Sequence, residues 1–201
     1  MPPARVLVRF SSAIYLRQAA RIGEPKLPSR AGNVVTEPSC SAAILGNMDL
    51  ILWRHADAAP ARNDSEPDMA RRLTGKGRKQ AATMAVWLDR HLPDSVKVLA
   101  SPSTRAQETA EALGRKVVTL PELAPGADAV QLLHAAGWPD SRNAVLVIGH
   151  QPALGRAASL LLLGAEQDLS MRKAAVWWIT NRSRDDEFRP SLRAAVCPDY
   201  L

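Results

Sequence analysis

The sequence predicts a single α/β domain with a mainly parallel central sheet and helices on both faces. Short apolar runs typical of buried strands alternate with longer stretches in which apolar residues recur every three or four positions, as on helices. This alternation favours a parallel sheet, because each helix that connects two parallel strands packs on a face of the sheet. The length of 201 residues is that of one domain with a tail.

The predicted strands are short runs rich in Val, Ile and Leu. They cover 50–53, 96–100, 117–120, 144–148, 174–180 and 192–196. The run 144–148 is the most strand-like of them, because nearly all its residues are β-branched or aliphatic. The first run, 50–53, is fully apolar, which indicates a strand buried on both faces.

Four helices are predicted between these strands. They cover 74–92, 104–113, 127–136 and 152–163. Thr74 opens the first helix, and Thr104 with Gln107 forms a capping-box pattern at the start of the second. Pro152 suits the first helical position of the fourth helix, which ends before Gly164.

Residues 1–47 differ from the rest of the chain. They carry six basic and two acidic residues, and no acidic residue precedes Glu24, so they resemble an organelle presequence followed by a linker. A simpler interpretation is that Met48, directly before the first strand, is the true start. We expect a disordered tail without a catalytic role over 1–47 and the folded domain over 48–201.

Charge and composition restrict the partners. The net charge of +6 comes mainly from residues 1–47, and the remainder has no lysine-rich stripe with interleaved aromatic residues, so nucleic acid is not expected as a partner. No apolar run approaches the ~20 residues of a membrane span. Cys40 and Cys197 are the only cysteines, which fits a reducing, cytoplasmic setting. We expect a monomer.

Three of the predicted strands end in basic or imidazole side chains. The first strand is followed by Arg54 and His55, the second by a loop that leads to Arg105, and 144–148 by His150. Ligands of open α/β sheets bind beyond the carboxyl ends of the strands, so these side chains are expected to converge. Alone, each has an ordinary structural explanation, such as a surface ion pair. Together they suit a phosphoryl group, because guanidinium binds its oxygens and imidazole can attack phosphorus.

Four ordered segments resemble the histidine phosphatase superfamily, named for an Arg-His-Gly signature. Residues 54–56 (Arg-His-Ala) match that signature with Ala in place of Gly, and 73–81 (LTGKGRKQA) look like its Leu-Thr-x-x-Gly-x-x-Gln-Ala segment. Residues 101–110 and 149–150 are similar to its second-arginine and second-histidine segments. The resemblance implies a phosphoglycerate-mutase-like fold.

The short chain resembles one branch of that family, the protein phosphohistidine phosphatases. Larger members insert a cap domain for which this chain has little room. The segments 54–58 (RHADA), 122–125 (ELAP) and 196–201 (VCPDYL) are similar to the branch. The resemblance therefore implies a capless domain and a phosphatase that acts on phosphohistidine of a phosphorelay or phosphotransferase protein.

The family also implies roles for individual residues. His55 is the nucleophile and forms a phosphohistidine intermediate, whereas Arg54, Arg105 and His150 hold the phosphoryl oxygens. Glu122 is the candidate proton donor to the leaving group, although an exposed loop carboxylate is an equal interpretation. No metal and no cofactor are implied. Because Arg54 and Arg105 disfavour another positive charge, the His55 ring is expected to be neutral near pH 7.

Other functions stay open or are disfavoured. A small-molecule phosphomonoesterase with the same mechanism is the first alternative, and a non-catalytic phosphate-binding module is the second. A cysteine phosphatase needs Cys-x₅-Arg, but Gly46 lies six residues after Cys40. An aspartate phosphatase needs Asp-x-Asp, but Ala59 follows Asp57 at that spacing.

A metal site has one formal candidate. His55, Asp57 and His150 satisfy the residue types of the two-histidine, one-carboxylate triad that binds iron in oxygenases. Those sites normally occur in all-β folds, and the neighbouring arginines would repel a cation. The sequence therefore disfavours the metal interpretation.

Overall fold

The chain folds around one mixed sheet of six strands in the part that the computed structural model describes, residues 48–61, 67–182 and 190–201. The strands are β1 (Met48–Arg54), β2 (Lys97–Ala100), β3 (Val117–Thr119), β4 (Val145–Gly149), β5 (Val176–Asn181) and β6 (Pro190–Val196). Their order in the sheet is β3-β2-β4-β1-β5-β6. The expectations for residues 1–47 lie outside the described residues.

Four α-helices and three short 3₁₀ helices accompany the sheet. The α-helices are α1 (Gly75–His91), α2 (Thr104–Glu111), α3 (Ala129–Ala135) and α4 (Ala153–Leu163). The 3₁₀ helices are Asp68–Ala70, Pro121–Leu123 and Pro198–Tyr200. The predicted α/β alternation and mainly parallel sheet are confirmed.

Strand direction places three chain segments at one edge of the sheet. Strands β3, β2, β4 and β1 are mutually parallel, whereas β5 and β6 pair antiparallel at the β1 side. The residues after β1, β2 and β4 therefore leave the sheet at the same edge, and β4 lies between β1 and β2. This edge is where the sequence places its basic and imidazole side chains.

Helices bury both faces of the central strand. Ile51 and Trp53 of β1 are fully buried in a core cluster with Met84 and Leu88 of α1. Leu52 points to the opposite face, because side chains alternate along a strand, and it is equally buried. Helix α4 packs against β1 and α3 and buries residues that are not part of the first cluster. The apolar run 50–53 is thus a strand covered on both sides.

Two predicted helix starts are correct or nearly so, and one capping motif is wrong. The Thr74 hydroxyl caps α1 by accepting the Gly77 N–H at 2.9 Å. Helix α2 has Ser103, not Thr104, at its N-cap position, and no side chain caps it. The amide of Gln107 instead donates to the Ser101 carbonyl at 2.6 Å, which fixes the loop before the helix. Pro152 is the N-cap of α4, one position before the first helical residue.

The described residues contain no candidate for a membrane-spanning helix. None of the helices there combines the length and the apolar composition that a bilayer crossing requires.

Candidate active site at the carboxyl edge of the sheet

Backbone hydrogen bonds fix His55 at the end of β1. Its N–H donates to the Gly149 carbonyl at the end of β4 (3.1 Å), and its carbonyl accepts the Ala174 N–H (3.2 Å). The side chain is only 7% exposed. His55 is therefore held between β4 and the segment that leads into β5, and its position depends on the sheet itself.

A hydrogen bond to the backbone selects the tautomer of His55. Nδ1 lies 2.8 Å from the carbonyl oxygen of Ala56. Because a carbonyl oxygen only accepts, Nδ1 carries the proton and donates. The neutral ring then has its lone pair on Nε2, which is the nitrogen available to attack an electrophile.

Thr109 connects the loop after β1 to the helix that carries Arg105. Its buried hydroxyl accepts the Ala56 N–H (3.1 Å) and donates to the Arg105 carbonyl (2.7 Å). Ala56 stands where the family signature has Gly, and its backbone tolerates a side chain: Ala174 is the one non-glycine residue with positive φ among those described. The loop holds His55 without requiring glycine at position 56.

His150 lies beside His55 at the end of β4. The two ring centroids are 5.0 Å apart, and the His150 side chain is buried. Its Nε2 hydrogen-bonds with the hydroxyls of Ser101 (2.8 Å) and Ser103 (3.1 Å) in the loop after β2. Its Nδ1 is buried and has no hydrogen-bond partner among the described residues. One nitrogen thus orients the ring, and the other has no partner among the described residues.

The two predicted arginines have different anchors. Nη1 of Arg54 donates to the Met171 carbonyl at 2.5 Å, within the segment that precedes β5. Arg105 lies in the first turn of α2, as predicted, and its guanidinium pairs with Asp68. The Nε atoms of both arginines are buried without a partner in the described part of the chain. Each arginine therefore retains an unused donor near His55.

Two residues that the sequence analysis missed, Asp68 and Arg71, belong to the same cluster. Asp68 binds Arg105 and Arg71, and the Arg71 guanidinium acts on His55 electrostatically. Both residues lie just after residues 62–66, outside any strand, so no strand-end rule selects them. The one available signal was their position just before the segment 73–81 that resembles the family.

Burial and charge keep both histidines neutral. Burial is the largest cause that lowers the pKa of His55 from its usual 6.5 to about 4; Arg105 and Arg54 add to the shift, and the Ala56 carbonyl opposes it. Burial, then His55 and Arg105, lowers the pKa of His150 to about 3. The neutral ring expected from the arginines is present, but desolvation contributes more than their charge.

Glu122 lies in the 3₁₀ helix Pro121–Leu123 that follows the edge strand β3. It is exposed and forms no hydrogen bond or ion pair with the described residues around His55. Asp68, rather than Glu122, is the carboxylate that acts electrostatically on His150. The structure thus brings His55, Arg54, Arg105 and His150 together and leaves Glu122 outside their hydrogen-bond network.

Asp57, the third residue of the formal metal triad, is held by other partners. Its carboxylate accepts from Lys173 Nζ (2.5 Å) and from the Thr74 hydroxyl (2.8 Å). The Lys173 bond is the largest cause that lowers the Asp57 pKa. Within 48–61, 67–182 and 190–201, no group of three or more His, Cys, Asp or Glu side chains is arranged to hold a metal ion.

Known proteins are similar in sequence to this chain. The model of the histidine phosphatase superfamily (branch 1) matches residues 50–128. The phosphohistidine phosphatase SixA of Escherichia coli strain K12 is 35% identical over 126 residues, which are 58% of this chain and 76% of that protein. An uncharacterized protein of Picosynechococcus sp. is 32% identical over 142 residues, 64% of this chain and 82% of that one.

A solved structure extends the similarity to the fold. It is the protein histidine phosphatase SixA complexed with tungstate, which matches at a TM-score of 0.60 and 28% sequence identity. The match covers 76% of this chain and 99% of that one.

Proposed function

Because this chain is a phosphatase that belongs to the histidine phosphatase superfamily, in the branch of SixA, we propose that it dephosphorylates phosphohistidine on a partner protein. The observation that carries the proposal is the surroundings of His55. Its Nε2 lone pair is available, and unpartnered buried nitrogens of Arg54, Arg105 and His150 belong to the same cluster. Buried polar atoms normally have partners, so this concentration favours an oxyanion as the ligand.

The first step transfers the phosphoryl group to His55. Nε2 attacks phosphorus in line, the Nε2–P bond forms, and the P–N bond to the substrate imidazole breaks. The departing imidazole takes up a proton and leaves neutral. The low pKa of His55, about 4, supports this role because the attacking nitrogen must be unprotonated.

The second step regenerates the enzyme. Water attacks the phosphorus of phosphorylated His55, the Nε2–P bond breaks, and inorganic phosphate is released. Arg54, Arg105 and His150 bind the phosphoryl oxygens in both steps and stabilise the negative charge of the transition states. Loss of one such preorganised donor typically lowers the rate by ~10²–10³.

Glu122 is proposed as the proton donor to the leaving group. Its location after β3 puts it at the same edge of the sheet as His55. A substrate imidazole needs less help to leave than an alkoxide does. Glu122→Gln should therefore slow an alkyl phosphate more than a phosphohistidine substrate.

We propose that the reaction needs no metal ion. The guanidinium groups of Arg54 and Arg105 already supply positive charge at the site, and the Asp57 carboxylate is occupied by Lys173 and Thr74. Arg54 and Arg105 would also repel a cation at His55. EDTA should leave the activity unchanged.

A protein substrate is supported by the relative and by the surface next to the site. The similar Escherichia coli protein is named a phosphohistidine phosphatase. The segment 71–74 runs beside the loop after His55, with hydrogen bonds from Ala59 to Arg72 and from Thr74 to Asp57. Exposed basic side chains line this segment and the start of α1: Arg72, Lys76, Arg78 and Lys79. Such a surface suits an acidic protein partner, and a phosphorelay or phosphotransferase component in the cytoplasm is the partner class that we propose.

The direct test compares two substrates. Phosphate release is measured from a phosphohistidine-bearing phosphotransfer protein and from p-nitrophenyl phosphate, with and without EDTA. We expect fast release from the protein, slow release from the ester and no effect of EDTA. Preference for the ester would instead make the chain a small-molecule phosphomonoesterase.

A matched pair of histidine variants controls this test. His55→Ala should abolish both activities, whereas His134→Ala, which changes an exposed histidine of α3, should leave both unchanged. Phosphate binding without turnover in the wild-type protein would reverse the proposal and favour a phosphate-binding module.

A further inference from the structure

The guanidinium of Arg105 already binds an anion that belongs to the chain. Its Nη1 donates to the backbone carbonyl of Asp68 at 2.6 Å, and its Nη2 donates to Asp68 Oδ2 at 2.7 Å. Two parallel N–H bonds from one guanidinium are the geometry with which arginine also binds phosphate. A phosphoryl group that binds these terminal nitrogens therefore competes with the Asp68 carboxylate for the same donors.

The same carboxylate also reaches a second arginine of the cluster. Asp68 Oδ1 accepts from Arg71 Nη1 at 3.2 Å. Arg105 and Arg71 both disfavour protonation of His55, so both guanidinium groups lie within electrostatic reach of the proposed nucleophile. The carboxylate thus bridges two cations beside His55, as two oxygens of a phosphoryl group would.

Burial is unequal on the two sides of this ion pair. The Arg105 side chain is 5% exposed, whereas that of Asp68 is 54% exposed. Arg105 lies in the first turn of α2, its backbone carbonyl is held near Ala56 through Thr109, and its side chain is buried, so it is the fixed partner of the pair. Asp68 can turn its carboxylate into water, and this makes it the partner that moves.

We propose that Asp68 is a specificity-determining residue that competes with the substrate phosphoryl group for Arg105. The inference rests on the proposed role of Arg105 in phosphoryl binding. A phosphate that binds the terminal nitrogens of Arg105 displaces the carboxylate, and this cost weakens the binding of small phosphate anions. A phosphorylated protein offsets this cost through contacts outside the phosphoryl site, so Asp68 favours protein substrates over free phosphate and small esters.

The test is the charge-removing variant Asp68→Asn. The measured quantities are the inhibition constants of inorganic phosphate and tungstate, and KM and kcat for p-nitrophenyl phosphate. We expect the inhibition constants and KM to fall about twofold to fivefold, the range of a partly exposed ion pair, while kcat changes little. A merely structural role, in which Asp68 orients Arg105, requires the opposite: weaker inhibition and a lower kcat.

Matched variants make the result specific. Asp89→Asn removes the exposed ion pair with Arg115 (2.9 Å) and should leave all constants unchanged. Asp68→Ser removes the same carboxylate as Asp68→Asn and should reproduce its effect if the asparagine variant folds poorly. Thermal unfolding of each variant verifies that the fold is intact.

Variants of Arg105 separate this inference from the proposed function. Arg105→Ala should raise the inhibition constant of phosphate, and Asp68→Asn should have a smaller effect in that background, because the contested cation is gone. If Arg105→Ala leaves phosphate binding unchanged, the proposed role of Arg105 fails and the inference fails with it. If Arg105→Ala weakens binding but Asp68→Asn alone leaves it unchanged or weakens it, only the inference is overturned.

Discussion

The nucleophile side and the cation side of the site are built differently. His55 is fixed by backbone hydrogen bonds to Gly149 and Ala174 and by a bond from Nδ1 to its neighbour's carbonyl. Arg105, on the other side, is paired through its terminal nitrogens with Asp68, a residue that is largely exposed. One side depends on the sheet, and the other depends on an ion pair that water can reach.

This difference separates two tasks that one site must perform. An attacking nitrogen has to be held at the right place and in the right tautomer before the substrate arrives, because misplacement costs rate. Cations that bind the phosphoryl group must also release phosphate after each turnover. A fixed nucleophile next to cations shared with an internal carboxylate meets both requirements.

Among the predicted changes, removal of the nucleophile should have the largest effect on kcat. His55→Ala should lower kcat by at least about 10³-fold, because the remaining cations bind phosphate but cannot form the intermediate. Inhibition constants for phosphate should stay within a few-fold of wild type, since Arg54, Arg105 and His150 remain. Steady-state kinetics measure the fall in kcat, and phosphate titration measures the retained binding. A loss of phosphate binding together with kcat would contradict the separation of the nucleophile side from the cation side.

The pH dependence of stability tests the buried state of His55. Its pKa is about 4 in the folded chain and near 6.5 when unfolded, so between these values the unfolded chain binds the extra proton. The free energy of unfolding should therefore fall as the pH is lowered from about 6.5 to about 4. Relative to His55→Gln, which cannot titrate, the wild type should lose about 2 to 3 kcal/mol between pH 7.5 and pH 4.5. Urea titrations at both pH values measure this, and parallel curves for the two proteins would count against a buried, neutral His55.

A smaller effect should follow when the hydrogen bonds of Thr109, which connect the loop after His55 to Arg105, are removed. Thr109→Val keeps the side-chain shape but leaves the buried Ala56 N–H without its acceptor. We expect a loss of about 1–3 kcal/mol in the free energy of unfolding, with a lower kcat because the loop after His55 loosens. Thr119→Val, which removes an exposed hydroxyl that binds Gln107, is the control and should change neither quantity appreciably. Equal effects of the two substitutions would show that Thr109 has no linking role.

The sequence predicts what depends on local pattern and on sheet geometry. The apolar runs locate the strands, and parallel pairing brings the ends of β1, β2 and β4 to one edge, so His55, Arg105 and His150 could be grouped although they are far apart along the chain. The Thr74 cap follows a local rule and is confirmed.

Contacts between loops could not be predicted in this way. Gln107 matched a capping box, but its amide donates to the Ser101 carbonyl in the loop after β2 instead. Asp68 is 37 residues from Arg105 and lies in no strand, so nothing in the local sequence indicates their ion pair. The contact of the Asp68 carboxylate with Arg105 is therefore known from the folded structure and not from the sequence pattern.

The most direct test of the account is to trap the phosphorylated enzyme. The protein is mixed with a phosphohistidine-bearing substrate, quenched in alkali within milliseconds, digested and analysed by mass spectrometry for a phosphoryl group on the peptide that contains His55. We expect acid-labile phosphate on His55 at early times, and none in the His55→Ala variant. Rapid turnover with no phosphate on His55 at any time, or with phosphate on His150 instead, would contradict the assignment of His55 as the nucleophile.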